Sequence, residues 1–234
     1  MQVLTAALTR LRKDGVPLKT VYDIGAHTGQ WTQVVRQYLP SSEFVLFEAN
    51  PAYRDVLAAS GFRSFVRCLS NPGRVTADFY NGTNTGDSYY KERSTVYDGQ
   101  GSINMICSTL DDMIAWHKLP PPSFIKLDTQ GSELDILAGA DNALDYANLV
   151  LCECPIVNCN AGAPGMGDYL EFFAKRRFLP LLITEQHGLE QILVQVDILF
   201  MKESAKVRYV GPHKVLRPFE DASLPNQSAV AVSA

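Results

Sequence analysis

Two apolar rhythms take turns along the chain. Over residues 4–13 the apolar positions Leu4, Ala7, Leu8 and Leu11 fall on one helical face, and Gly15 with Pro17 stops the pattern. Residues 20–24, 43–47 and 62–68 are short runs rich in β-branched and aromatic side chains, the mark of strands. Between them the sequence allows helices: residues 30–39 close on Pro40, and residues 52–60 follow Pro51 and end at Gly61. The β-α-β-α-β order predicts parallel strands with right-handed crossovers, hence a doubly wound α/β sheet.

The alternation then continues with interruptions. Residues 74–80 read as a strand after the Asn71-Pro72-Gly73 turn, and 81–102, full of Gly, Asn, Ser, Thr and Tyr, as a substrate-facing loop. Strands are expected over 103–107, 124–127 and 148–152, with helices over 110–116, capped by Thr109, and over 133–140. A helix over 167–177 follows, and 178–184 with 191–201 read as an antiparallel hairpin closing one sheet edge. The expected division is a flanking helix in 1–18, one domain in 19–202 and a tail in 203–234.

Candidate chemistry gathers where strands end. In VYDIGAHTG, residues 21–29, an apolar run carries Asp23 into a turn framed by Gly25 and Gly29. Lacking Cβ atoms, these glycines permit a tight strand-to-helix reversal and close approach by a ligand. The amides opening the next helix suit a polar or anionic group. Asp23 is a poor neighbour for phosphate but a good acceptor for a cationic or hydroxyl-bearing ligand. Glu48 ends the next strand 25 residues beyond Asp23, near the place where an acid holds a ribose diol. In FIKLDTQGSELDILAGA another strand end delivers Asp128, and Glu133 sits in a first helical turn, where the helix dipole favours an acid. Plain structural roles fit both residues as well, Asp128 as a loop acceptor and Glu133 as a first-turn acid. Glu153 follows the strand over 148–152 and brings a third acid to the same rim.

Composition narrows the class. A net charge of −4 without a basic block lacks the footprint of a duplex-binding protein, so nucleic acid is not an expected partner. The 46% hydrophobic and 20% charged content is ordinary for a globular domain. No apolar run approaches the roughly 18 to 20 residues that span a bilayer, and the start lacks a signal peptide's apolar centre. A cytoplasmic location without a membrane partner is the expectation. Five cysteines without a CxxC pair read as buried free thiols, and CECPIVNC has no histidine nearby to complete a zinc site.

A strand-end acid before the first glycine, no GxGxxG and a closing hairpin resemble the class I S-adenosylmethionine methyltransferases. More closely, DIGAHTGQW, FEANP, STLDD, IKLDTQGSELDILAGA and VDILF, in this order over about residues 21–201, resemble the blocks of the FkbM methyltransferase family. The resemblance implies a Rossmann-like, mostly parallel seven-stranded sheet with an antiparallel last strand, in three αβα layers. It implies S-adenosylmethionine as the cofactor and O-methylation of a hydroxylated small molecule, a sugar, polyketide or related metabolite. Carried over, the turn of Asp23, Gly25, Ala26, His27, Thr28 and Gly29 would cradle the donor's methionine portion. Glu48, with Ala49 beside it, would hold the ribose, Leu69 and Ser70 would lie near adenine, and Asp128 and Glu133 would lie nearest the methyl group. His27 stands where many relatives have Asn, and Gln130 where many have Glu; a glutamine cannot serve as a base.

Methyl transfer from a sulfonium is an in-line displacement, so positioning and partial deprotonation of the acceptor supply most of the acceleration. Asp128 or Glu133 is expected to take or orient the hydroxyl proton, with His27 and His187 as weaker candidates and the 81–102 loop over the substrate. A variant places a divalent metal on Asp128, Glu153 and substrate oxygens. Two other functions stay open: a nicotinamide-dependent oxidoreductase, whose glycine fingerprint is missing, and a non-catalytic donor-binding module for regulation or assembly.

Overall fold

The computed structural model describes residues 1–81, 86–93, 99, 101–205, 209–210 and 215–216. The chain opens with α1 (Gln2–Lys13), β1 (Thr20–Ile24), α2 (Gln30–Arg36), β2 (Glu43–Glu48), α3 (Arg54–Ala59) and β3 (Arg63–Val66). It then makes β4 (Cys68–Leu69), β5 (Thr76–Tyr80), β6 (Ser102–Ser108), α4 (Leu110–His117), β7 (Phe124–Leu127), α5 (Glu133–Ala138) and α6 (Asp141–Tyr146). The closing elements are β8 (Leu149–Pro155), α7 (Met166–Lys175), β9 (Phe178–Leu189), β10 (Ile192–Lys202), β11 (Tyr209–Val210) and β12 (Val215–Leu216).

Seven strands form the main sheet in the order β3-β2-β1-β7-β8-β10-β9. The first five run parallel, and β10 lies antiparallel to both β8 and β9. The expected sheet, with its reversed last strand, is therefore the one observed. Strand order switches between β1 and β7, which opens a crevice beyond their C-terminal ends. Register makes that crevice flush, because Ile24 pairs with both Phe47 and Leu127, so three turns leave the sheet at one level.

Period-two alternation sorts the strand side chains into two cores and gives the three layers. Val21, Phe44, Leu46, Phe124 and Leu149 pack with Leu8 of α1, Val35 of α2 and Leu57 of α3. Tyr22, Val45, Phe47, Ile125 and Val150 pack on the other face with Leu110 of α4, Ile136 of α5, Leu144 of α6 and Phe173 of α7. The first helix thus covers the sheet and lines no part of the crevice.

Four local expectations change. The single strand expected over 62–68 breaks at Arg67, whose N–H donates to the Glu48 carbonyl at 2.7 Å, and β4 then joins a second sheet, β4-β6-β5. Alternation alone cannot register a change of sheet. The helix expected over 133–140 ends at Ala138, because Gly139 passes so close to Ser70 that a Cβ would lie 2.5 Å from its carbonyl oxygen. Glu153 lies inside β8, which runs on to Pro155, rather than beyond its end. The helix expected over 30–39 stops at Arg36. Of the 81–102 loop, residues 82–85, 94–98 and 100 lie outside the described residues, as do 206–208, 211–214 and 217–234 of the tail.

Phe173 is fully buried, and its ring stacks on Phe200 at 3.8 Å and 13°. Phe173→Ala should cost about 3–5 kcal/mol through lost burial and a residual cavity, whereas Leu170→Ala on the exposed side of α7 should stay within about 0.5 kcal/mol. Urea unfolding of both variants checks this.

Candidate active site

The turn after β1 is shaped by left-handed backbone. Gly25 has φ +74°, and a Cβ there would overlap the Asp128 carbonyl oxygen, so the β1 and β7 turns touch backbone to backbone. His27 adopts φ 49°, a region that Asn and His enter more readily than most residues. Its ring packs on Tyr53 at 4.1 Å between centroids, while its N–H donates to Glu48 Oε2 at 2.6 Å. Asn50 N–H donates to the other oxygen, Oε1, at 2.8 Å. Burial raises the Glu48 pKa, and these two backbone donors work against that rise.

A cavity of about 230 Å³ opens over these turns. Of the residues expected to bind a donor, Gly25, Ala26, His27, Thr28, Glu48, Ala49 and Leu69 line it, and so does Asp128. Asp23, Gly29, Ser70 and Glu133 do not; they stand behind the wall. Asp23 is buried, accepts from Thr32 Oγ1 at 2.7 Å and forms an ion pair with Lys126 Nζ at 3.1 Å. Ser70 shares a hydrogen bond with Tyr89 at 3.1 Å. Gly29, at φ +78°, packs over Leu46.

The two candidate acids differ sharply in setting. Asp128 is 46% exposed, and its carboxylate meets Lys126 Nζ at 3.5 Å and accepts from Gln130 Nε2 at 3.2 Å. Glu133 has no exposure and accepts from Thr129 N–H at 2.7 Å, Gly131 N–H at 3.0 Å and Tyr169 Oη at 2.6 Å. Burial raises its pKa, opposed first by the Tyr169 hydrogen bond. Its geometry is that of a brace for the turn that carries Asp128.

Lys126 is the cavity residue that sequence reasoning passed over. Its Nζ donates to the Gly25 carbonyl at 3.0 Å, and its burial opposes the charge, yet Asp23 and Asp128 together raise its pKa. The signal was present as a single charge inside the apolar run FIKL, since a lysine in a buried strand needs partners. Trp31, Tyr53 and Arg67 also line the cavity without having been foreseen, as do Asp87 and Tyr89, which belong to the 81–102 segment expected to face the substrate but were not singled out within it. Tyr89 is delivered by residues 86–93, which Asp135 holds by accepting from Tyr89 at 3.2 Å and Tyr90 at 2.8 Å, alongside Asn71 at 2.9 Å and Arg74 at 3.2 Å.

Beside the cavity, Gln130 Nε2 bridges Asp128 and Glu153, at 3.2 and 2.8 Å, and Gln195 donates to the other Glu153 oxygen. Burial pushes the Glu153 pKa well up, with Asp128 and Glu133 adding to it. Glu153, His187 and Asp197 bring their ligand atoms within 4.8 Å of one another, whereas the metal pair expected from sequence was Asp128 with Glu153. His187 makes a 3.4 Å ion pair with Asp197 and does not line the cavity. All five cysteines are free, four of them buried. Among the described residues no helix is long and apolar enough to cross a membrane.

A mostly parallel sheet in this order, with its antiparallel β10 and an acid-bearing glycine turn, has the class I methyltransferase architecture, and residues 23–180 match the model of the methyltransferase FkbM domain. The chain belongs to the FkbM methyltransferase family. It is 25% identical over 140 residues to the hexuronic acid methyltransferase AglP of Haloferax volcanii, an alignment covering 57% of this chain and 54% of that protein. The matched part thus spans about half the length of that curated relative. Similar solved structures include precorrin-6y C5,15-methyltransferase from Geobacter metallireducens, at 14% identity and TM-score 0.46, covering 85% of this chain and 87% of that one. Magnesium protoporphyrin IX methyltransferase from Synechocystis, solved with bound donor, aligns at 10% identity and TM-score 0.46 over 86% of this chain and 78% of its own.

Two outcomes follow from this geometry. Gly15 also has positive φ but no atom near its missing Cβ, so Gly15→Ala should cost about 1–2 kcal/mol of backbone strain. Gly25→Ala adds a backbone collision and should exceed about 4 kcal/mol, with donor binding lost in calorimetry. Asp197 provides the pH test, because burial, with Asp128 as the next cause, lifts its pKa from 3.8 to about 6. A raised folded-state value means that its contribution to stability is fully present below pH 3.8 and is lost as pH rises through about 6. Asp197→Asn should therefore match the parent near the bottom of that window and exceed its stability by about 1–3 kcal/mol at pH 7, measured by urea unfolding.

Proposed function

We propose that this chain is an S-adenosylmethionine-dependent methyltransferase that O-methylates a hydroxyl of a small polyhydroxylated metabolite, a sugar or sugar-like compound, with Asp128 as the acceptor-facing acid. The observation that carries the proposal is the placement of one half-exposed carboxylate, Asp128, in the wall of the same cavity as the glycine turn and Glu48. The name of the Haloferax relative, a hexuronic acid methyltransferase, favours a carbohydrate acceptor.

The cavity residues fit the donor. Thr28 Oγ1 and Thr129 Oγ1 are buried, line the cavity and have no hydrogen-bond partner, as groups awaiting a polar ligand would be. Each Glu48 oxygen takes one backbone donor and keeps further acceptor capacity for a ribose hydroxyl. When bound, S-adenosylmethionine supplies an electrophilic methyl group.

The chain's own residues then have separable roles. Asp128 accepts the hydroxyl proton or orients that hydroxyl in line, and Lys126 and Gln130 fix the carboxylate from either side. Glu133 acts one step removed, through the backbone N–H groups of Thr129 and Gly131. Asp87 and Tyr89 bound one side of the cavity and help to exclude water.

Calorimetric titration with S-adenosylmethionine, S-adenosylhomocysteine and NADH should show binding of the two adenosyl ligands alone. Glu48→Ala should weaken both by about 1.5–3 kcal/mol, the value of a hydrogen bond to a charged group. At saturating donor, Asp128→Asn should cut labelled-methyl transfer to a panel of sugars about 100-fold or more. Near-normal transfer by that variant removes Asp128 from the reaction, and labelling confined to non-hydroxyl atoms removes O-methylation.

A further inference from the structure

Holding the Asp128 carboxylate needs only a hydrogen-bond donor and does not explain the charge on Lys126, an ammonium that is 6% exposed and stands in the cavity wall. It bridges the two turns that meet at the crevice: Nζ lies 3.0 Å from the Gly25 carbonyl, 3.1 Å from Asp23 and 3.5 Å from Asp128. Glu153 and Glu48 also lie within its electrostatic reach. Pairing with Asp23 alone would satisfy a buried lysine, yet this one faces a second, half-exposed acid that itself faces the ligand space.

The sum of charges gives the arrangement meaning. Asp23, Lys126 and Asp128 together carry −1 when all are ionised, and the acids without the lysine would carry −2. The methyl donor is a sulfonium cation and its product a neutral thioether, so this local charge acts on one ligand far more than on the other. A wall made more negative would hold the sulfonium more tightly in the ground state, and that kind of binding does not speed the chemical step. An acid is nonetheless required at Asp128.

We infer that Lys126 sets the charge of the donor turn, countering Asp23 and Asp128 so that the cavity does not overbind the sulfonium donor relative to the thioether product. It is a positioning residue, not a catalytic one, and the inference rests on the cavity being the donor site.

Calorimetry of the full chain with S-adenosylmethionine and S-adenosylhomocysteine gives the ratio of the two dissociation constants, independently of any acceptor. Asp23→Asn leaves the lysine one counter-charge short and should move that ratio about tenfold toward the thioether. Adding Lys126→Met to Asp23→Asn returns the sum to −1 and should restore the parent ratio, whereas loss of packing weakens both ligands alike. Ratios within about twofold in all three proteins, or a double variant no nearer the parent than Asp23→Asn, overturn the inference. If the Asp23 variants do not fold, Asp128→Asn with and without Lys126→Met decides: the single variant should shift toward the thioether and the double variant return to the parent ratio, and a double variant no nearer the parent overturns the inference. Failure of the parent chain to bind either ligand overturns the donor-site reading itself, which is a separate result from an unchanged ratio.

Discussion

A lysine and an aspartate buried side by side, Lys126 on β7 and Asp23 on β1, join the two strands between which the order of the sheet reverses. Neither charge tolerates burial alone, because removing one partner leaves the other desolvated and uncompensated. Each is also tied to its surroundings, Asp23 to Thr32 on α2 and Lys126 to the Gly25 carbonyl. The ion pair thus fastens α2, the glycine turn and the β7 turn into one floor. Close approach of Gly25 to the Asp128 backbone completes that floor, and only a residue without a Cβ allows it.

Upon this floor, burial decides what each acid can do. Asp128 and Glu133 belong to one short segment, yet one carboxylate faces the cavity and the other is saturated by two backbone N–H groups and a tyrosine. Glu48 lies between these cases, holding two backbone donors while still lining the cavity. Asp135 sits on the same helix as Glu133 and binds the 86–93 segment through two tyrosines. One short helix therefore supports both the turn that carries Asp128 and the far wall.

Carboxylates around Gln130 are crowded enough to alter one another. Glu153 and Asp197 pair across β8 and β10, and both are harder to ionise than usual, first through burial and then through Asp128. Gln130 and Gln195 donate to Glu153 where further acids would repel it. Amide donors and one buried lysine thereby keep a rim rich in acids compatible with a folded sheet.

Much of this was legible in the chain. Apolar periodicity and glycine placement determined the alternation of strands and helices, the parallel sheet, the closing hairpin and the glycine turn, because these depend on local spacing. The same local pattern singled out Glu48 and Asp128, since an acid that ends an apolar run is visible in the order of residues alone. Tertiary structure decided the rest. It broke residues 62–68 between two sheets, enclosed Glu133 while leaving Asp128 open, and turned Lys126 from an oddity in FIKL into a buried cation of the cavity wall. Those outcomes depend on which distant groups meet across β1, β2, β7 and α7. No spacing along one strand encodes such meetings, and burial and charge compensation exist only once they have formed.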